Sequence, residues 1–430
     1  MPMNKRAFMK LTAGFGAMTA MGSALASNAS VSTSGQQSNA LQPITGNVKP
    51  ISKAEHEGRI KKAQQLMVKQ GLSALVIEPG ASMTYFSGMQ WWRSERLTAL
   101  VIPQEGQPAV VTPFFEAPSV KESLAIDAEV RVWQEHESPF VQVNEALKAR
   151  KLDKGKIGFE NTVRYFVLNG LMSLMTKCEH VPAEPVILGC RMYKSTHELE
   201  LMHKANEVTL KAYEHVYSQL EIGMAQSDVK QIMAAAQQQL GGSSIWGLVL
   251  FNEASAYPHG TSQKQVISEG STVLMDCGCA VHGYQSDISR TWVFGEPSKK
   301  QREVWNAVHK GQQIAFEKAQ NGTPTGKVDD AVREYYETLG YGPAYALPGL
   351  SHRTGHGIGM EGHEKVNFVH GETTKLAPGM CLSNEPGIYI PGEFGVRLED
   401  CLYMTESGPA WFTEPPESLD KPLGRLSPMA

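Results

Sequence analysis

Between Ala54 and Gln70, Ile60, Ala63 and Met67 recur at helical spacing, and Gly71 stands where a helix C-cap belongs, just before the apolar run Ala74-Leu75-Val76-Ile77. Further short apolar runs at 98–102, 108–112 and 129–133 predict strands. Helical patterns near 138–150 and 163–176 lie on either side of the strand-like Lys156-Ile157-Gly158-Phe159. Together these elements predict an α/β N-terminal domain over 51–190. The pattern then changes. A charged helix runs from Ser195 to about Leu220 and a second from about Ser227 to Leu240, followed by strand-like segments up to Gly295. The same order recurs with helices at about 299–320 and 326–338 and strands to about 404, which predicts an internally duplicated α+β domain over 191–430.

Composition supports two domains: the chain has 430 residues and 41% hydrophobic content. Its formal charge of -4 comes from 40 basic against 44 acidic residues with no long block of either sign, so nothing points to nucleic acid. Lys5-Arg6-Ala7-Phe8-Met9-Lys10, a weakly apolar stretch from Leu11 to Gly22 and Ala24-Leu25-Ala26 form the three parts of an export signal over 1–26. This signal resembles the twin-arginine type with Lys5 in place of the first arginine, so the general secretory route stays open. Its apolar stretch is shorter than the roughly 20 residues of a membrane span. The expectation is a periplasmic or exported protein with no membrane segment in its mature form; a frayed amphipathic helix on a cytoplasmic protein is the bland alternative. Residues 27–50, rich in Ser, Asn, Gln and Gly, read as a flexible linker. The six cysteines show no paired CxxC spacing, which removes a zinc ribbon. Cys277 and Cys279 read as packing residues, with a periplasmic disulfide left open.

The candidate chemistry lies in the last third of the chain. Asp276, Asp287, His356, Glu385 and Glu399 each sit in a Gly-rich or strand-like segment. Four carboxylates brought together in a partly dry site repel one another, whereas two dications bring the shell close to neutral. A water held by such a pair is acidic enough to serve as a nucleophile near neutral pH. A hairpin about the midpoint of 281 and 282 places Asp276 directly opposite Asp287, at a Cβ separation of about 4.5 to 5.5 Å. A second hairpin, centred on Gly392, opposes Glu385 to Glu399, with Gly395 a candidate bulge. Arg397 shares the strand face of Glu399 and can either steady the carboxylates or bind a substrate carboxylate. His356 lies in Thr354-Gly355-His356-Gly357-Ile358-Gly359, where glycines permit close backbone approach. Either carboxylate pair alone would more often be a solvated surface feature; their combination with the histidine loop is far more specific.

Met275-Asp276-Cys277-Gly278, Ser286-Asp287-Ile288-Ser289-Arg290-Thr291, His352-Arg353-Thr354-Gly355-His356-Gly357-Ile358-Gly359, His363-Glu364, Asn384-Glu385-Pro386-Gly387 and Val396-Arg397-Leu398-Glu399 carry a resemblance to a known family. The chain resembles the pita-bread metallopeptidases, the family of prolidase, aminopeptidase P and methionine aminopeptidase. The spacing of Glu385 and Glu399 and the extra N-terminal domain, which looks creatinase/prolidase-like, resemble the proline-specific branches. The resemblance implies that Asp276 binds one metal in bidentate fashion, Asp287 and Glu399 bridge two, and His356 with Glu385 completes the other. It implies that Glu385 shuttles a proton, that His259 lies near the scissile bond and that His363 steadies the tetrahedral intermediate. It implies substrate contacts for His352 and Arg397, with His259 beside them. No motif speaks for His282, His309 or His370, which read as structural.

The leading expectation is a dinuclear metal-dependent peptidase that hydrolyses Xaa-Pro bonds, as prolidase does. Proline fixes its own φ and has no N–H, so a dedicated pocket is needed. One alternative is aminopeptidase P activity on longer peptides; another is a non-peptidase metal-dependent hydrolase or lyase on the same scaffold. A ligand set of carboxylates and one imidazole suits Mn(II), ranked first, and also Co(II), Zn(II) or Fe(II). The implied partners are a proline-containing di- or oligopeptide and, from the resemblance, a second copy of the chain in a homodimer.

Overall fold

The computed structural model describes residues 41–430. The export-signal reading and residues 27–40 of the linker reading lie outside them. Residues 41–50 correct the rest of that linker: Leu41, Ile44 and Val48 pack against the core of the second half, and the Ile44 N–H donates to the Leu240 carbonyl at 3.0 Å. Three apolar side chains within a polar stretch are enough to anchor it.

Ser52 starts α1 (Lys53–Gln70) with a reciprocal capping box to Glu55, and Gly71 ends it at φ 67°. Next come β1 (Leu72–Ile77), α2 (Ala81–Ser87), β2 (Ala99–Pro103), β3 (Ala109–Pro113), α3 (Ala117–Ser123) and β4 (Glu129–Trp133). They are followed by α4 (Pro139–Ala149), β5 (Gly155–Phe159), α5 (Tyr165–Leu174), β6 (Cys178–Pro182) and α6 (Glu184–Arg191). The strands form one sheet in the order β4-β3-β2-β1-β5-β6. The β1–β2 and β2–β3 pairs are antiparallel, and the other pairs are parallel. Alternation along β1 builds two cores. Leu75 and Ile77 face Ile60 and Met67 of α1, and Ala74 and Val76 face Val143 and Leu147 of α4 and Leu171 of α5.

The second half repeats two helices and an antiparallel sheet. Its first copy is α7 (Thr196–Tyr217), α8 (Gln226–Gln239), β7 (Ser243–Phe251), β8 (Ser271–Val281), β9 (Tyr284–Gln285) and β10 (Ile288–Phe294), in sheet order β10-β8-β7 with β9 on β8. Its second copy is α9 (Lys299–Lys318), α10 (Gly326–Thr338), β11 (Gly355–Gly357), β12 (Glu364–Phe368), β13 (Cys381–Asn384), β14 (Gly387–Ile390), β15 (Phe394–Arg397), β16 (Asp400–Thr405) and β17 (Gly408–Trp411). The larger sheet runs β12-β11-β13-β16-β17, and β14 pairs with β15.

Buried polar side chains brace the ligand strands within the first copy and join it to the second. Tyr213 of α7 donates to the carbonyls of Met275 and Ile288 at 3.0 and 2.7 Å, which fixes β8 against β10. Arg290 on β10 pairs with Asp400 at 2.6 Å, both fully buried, and the Glu399 N–H donates to the Ser289 carbonyl at 3.1 Å. Asp400 also accepts from Gln312 of α9 and from Thr413, so this buried ion pair has its remaining lone pairs satisfied.

Candidate metal centre

The first hairpin is shifted from the expected register. Asp276 pairs with Ser289, because the two-residue turn is His282-Gly283, with φ 48° and 88°. Those positive angles match a primed hairpin turn, and a histidine at φ 48° is a choice that sequence pattern does not announce. A shift of two residues preserves side-chain alternation, so Asp287 stays on the face of Asp276 as a diagonal rather than a direct neighbour. The second hairpin has the expected register. Gly387 pairs with Arg397 on one side of the ligands and Asn384 with Asp400 on the other, so Glu385 and Glu399 stand opposite each other between the two ladders. Gly395 pairs with Tyr389 in register and is no bulge. A Cβ there would lie 2.1 Å from the Ser255 carbonyl oxygen, which explains the glycine.

His356 on β11 is placed by a similar close approach, since a Cβ on Gly355 would lie 2.1 Å from the Ser383 carbonyl oxygen of β13. The His356 Nδ1–H donates to the Gly357 carbonyl at 3.0 Å, which leaves Nε2 as a lone pair aimed at Asp287 (3.7 Å) and Glu385 (3.4 Å). Ligand atoms of Asp287, His356 and Glu399 all lie within 4.8 Å of one another. Asp276 and Glu385 line the same cavity.

These residues fit divalent cations on the evidence of their unpaired atoms. Asp276 Oδ1, Asp287 Oδ1 and Glu399 Oε1 are buried and accept no hydrogen bond from the protein. Three orphaned carboxylate oxygens beside a free imidazole nitrogen are costly without a cation and natural with one. The remaining oxygens are held in place. Arg397 donates to Asp276 Oδ2 at 2.6 Å and to Ser289 Oγ at 2.9 Å, and that hydroxyl donates to Glu399 Oε2 at 2.8 Å. Without cations, burial pushes the Asp287 and Glu399 carboxyls well above the usual range, with neighbouring carboxylates adding to the effect. Burial raises the Glu385 carboxyl to about 7, against the opposing pull of Arg397. Burial lowers His356 to about 3, so its imidazole is neutral and ready to ligate.

A cavity of about 890 Å3 contains every candidate named from the sequence: Asp276, Asp287, His356, Glu385 and Glu399 with His259, His352, His363 and Arg397. His363 is exposed at its rim, and its ring meets that of His356 at a centroid distance of 4.2 Å. His259 is also exposed. His352 accepts from the Tyr389 hydroxyl at 2.7 Å while its Nδ1–H donates to the Arg353 carbonyl, and burial lowers its pKa to about 3. His282, His309 and His370 lie elsewhere: His282 forms the first hairpin turn, His309 stacks on Trp305 and His370 pairs with Asp330. All six cysteines are free thiols.

Sequence reasoning passed over four side chains that build this site. Ser289 and Tyr389 position Arg397, while Trp246 and Arg353 line the cavity. Ser289, Tyr389 and Arg353 stand within or beside the quoted motifs; Trp246 carries no sequence signal.

Comparison with known proteins places both halves. The model described as metallopeptidase family M24 matches residues 200–406, and the creatinase/prolidase N-terminal domain matches 59–193. The chain is 32% identical over 354 residues to the probable dipeptidase PepE of Mycobacterium tuberculosis, covering 81% of this chain and 92% of that protein. It is 30% identical over 372 residues to the Xaa-Pro dipeptidase of Lactobacillus delbrueckii subsp. lactis, covering 84% and 98%. Among solved structures, the recombinant prolidase of Thermococcus sibiricus superposes with a TM-score of 0.76 at 28% identity, covering 83% and 96%.

Proposed function

We propose that this chain, which belongs to metallopeptidase family M24 and is a metal-dependent peptidase, hydrolyses the Xaa-Pro bond of dipeptides with two divalent ions at Asp276, Asp287, His356, Glu385 and Glu399. The observation that carries this reading is the set of buried, unpartnered carboxylate oxygens facing a neutral imidazole in one cavity. The similarity to an Xaa-Pro dipeptidase and to a prolidase supports the proline specificity. Mn(II) is the first choice for this oxygen-rich ligand set.

When bound, the ions supply Lewis acidity toward the peptide carbonyl and lower the pKa of water. The chain's own residues do the rest. Glu385 is the proton carrier: its carboxyl is poised at about 7 without cations, and it can accept a proton from water and deliver it to the departing proline nitrogen. His363 and His259, exposed to the cavity, are placed to hydrogen-bond the substrate around its scissile carbonyl. Arg397 works indirectly, keeping Asp276 and, through Ser289, Glu399 in ligating orientation.

Turnover of Ala-Pro compared with Ala-Pro-Ala and Ala-Ala, followed by chromatography of released amino acids, tests this reading. Preferred release from Ala-Pro supports it, and no release from Ala-Pro refutes it. The homodimer and the export of the chain are proposals on sequence grounds, tested by light scattering of the purified protein and by cell fractionation.

A further inference from the structure

We propose that Arg191, the last residue of α6, is a positioning residue for His363, so that the N-terminal domain takes part in the reaction although, among the described residues, it lends no side chain to the catalytic cavity. The inference rests on the peptidase reading above and deepens it.

His363 stands at the cavity rim with little of its own to hold it. Among the described residues its imidazole makes no hydrogen bond, and its ring contact is with His356 at 4.2 Å. The loop that carries it, 358–363 between β11 and β12, lies outside any strand. The direction in which His363 meets a substrate is therefore set by whatever holds that loop. Gln285 fixes its start, since the Gln285 N–H donates to the Gly359 carbonyl at 2.8 Å. Arg191 fixes its end. Nη2 of Arg191 donates to Glu361 Oε2 at 2.8 Å and to Glu364 Oε1 at 2.6 Å, the residues on either side of Gly362-His363. Glu364 Oε1 carries the hold into the backbone by accepting from the Met360 and Glu361 N–H groups at 3.0 and 3.3 Å.

The arginine is itself held from the N-terminal domain. Val186, Ile187 and Cys190 seat α6 in that domain's core, and Nη1 of Arg191 donates to Ser82 Oγ of α2 at 2.8 Å. Its side chain is 8% exposed, so the planar fork has one orientation and ties Ser82, Glu361 and Glu364 together. Stability alone is a poor account of this arrangement. Buried charge clusters are weak evidence for stability, and Glu361 is 51% exposed, so its pair with Arg191 adds little to folding. What that pair does fix is where the loop turns toward the cavity. A second buried ion pair joins the same two halves, Arg59 of α1 with Glu198 of α7 at 3.1 Å. Arg59 otherwise donates to the Tyr85 carbonyl and the Tyr284 hydroxyl, and none of these partners lies in the His363 loop. The two arginines thus separate joining the halves from aiming the loop.

The test measures kcat and KM for Ala-Pro in the Mn(II)-loaded wild type, Arg191→Gln, His363→Ala and the double variant, at matched metal content. The proposal expects Arg191→Gln to lower kcat by about 10- to 100-fold when His363 is present and by less than about twofold in the His363→Ala background. Arg191→Lys keeps the charge and loses the fork, so it should lose less and show the same dependence on His363. If Arg191→Gln does not fold, Arg191→Lys carries the comparison. Equal losses with and without His363, or no loss, overturn the proposal. So does a His363-dependent loss of the same size in Arg59→Gln, because any weakened junction would then suffice. Hydrogen exchange of the same proteins reads the loop directly: exchange over 358–364 should be faster in Arg191→Gln than in wild type, and unchanged exchange overturns the proposal. A wild type that does not hydrolyse Ala-Pro refutes the Xaa-Pro reading alone, and the exchange measurement then decides for Arg191.

Discussion

Arg397 donates to Asp276 across 2.6 Å with the two side chains only 3% and 17% exposed. The pair binds the frame of the metal centre to its ligands, and the geometry argues against a direct grip on substrate. Replacement by lysine keeps the charge and loses the fork that reaches Asp276, Ser289 and Tyr389 together. Arg397→Lys is expected to weaken divalent-metal affinity or activity by about 10- to 100-fold, the usual scale for a residue that orients ligands. Metal titration followed by calorimetry checks this. Arg397→Met leaves Asp276 buried without its partner and is expected to cost about 3–5 kcal/mol of stability in the metal-free protein, read from urea denaturation.

Metal uptake is expected to release protons. In the metal-free site, burial and neighbouring carboxylates hold Asp287 and Glu399 well above the normal carboxyl range, and Glu385 sits at about 7. Cations displace those protons, so affinity rises with pH toward and beyond 7 and falls in acid. The sign for stability follows the same shifts. A carboxyl raised from about 4.5 to about 7 favours the folded state below about 4.5, and that contribution is lost as pH rises through 7. Metal-free protein should therefore be less stable at pH 8 than at pH 5 on this account, and metal should reverse the order. Calorimetry in two buffers of different ionisation enthalpy reads the protons, and thermal melts read the stability.

Glu364, next to His363, is the centre of a buried cluster with Arg191 at 2.6 Å and Lys194 at 2.9 Å. Burial would raise this carboxyl, but Lys194 and Arg191 outweigh it and hold it at about 2. Its contribution to stability is present above about 4.5 and is lost as pH falls toward 2. Glu364→Gln strands the buried Lys194, while Arg191 keeps Glu361 at 2.8 Å, and is expected to cost about 3 kcal/mol at pH 7. Because the same carboxylate accepts from the Met360 and Glu361 N–H groups, the loop carrying His363 should loosen as well. Denaturation at pH 7 and the kcat of the variant check both effects.

Gly355→Ala drives a Cβ to 2.1 Å from the Ser383 carbonyl oxygen, and backbone on backbone leaves little room to relax. The expected cost is about 3 kcal/mol, at the upper end for overpacking, with weaker metal binding as β11 moves His356 away from Glu385. Chemical denaturation with and without Mn(II) separates the two.

Much of this arrangement was legible before any coordinates, for identifiable reasons. The long helices carry periodic apolar positions and caps: α10 spans 326–338 as expected and Gly71 closes α1 in the left-handed conformation. The short α2, α3 and α6 have too few turns to show a period. The register of β14 and β15 was readable because its turn centres on Gly392, a residue suited to φ 80°. That of β8 and β10 was missed by two because the turn begins at His282, which sequence does not mark as a left-handed position. Family motifs located every candidate that the cavity unites. They did not mark Arg397 as a frame residue, because that role lies in which hydrogen-bond partners the fold brings within reach. Residues 41–50 were misread for a similar reason: their polar composition hides three anchoring side chains.

Titration of metal-free protein with Mn(II), with Ala-Pro hydrolysis measured at each addition, is the most direct test of the central claim. The account predicts no turnover without metal and a rise that levels off at two equivalents per chain. No Ala-Pro hydrolysis at any Mn(II) concentration, or full activity in the metal-free protein, would contradict it.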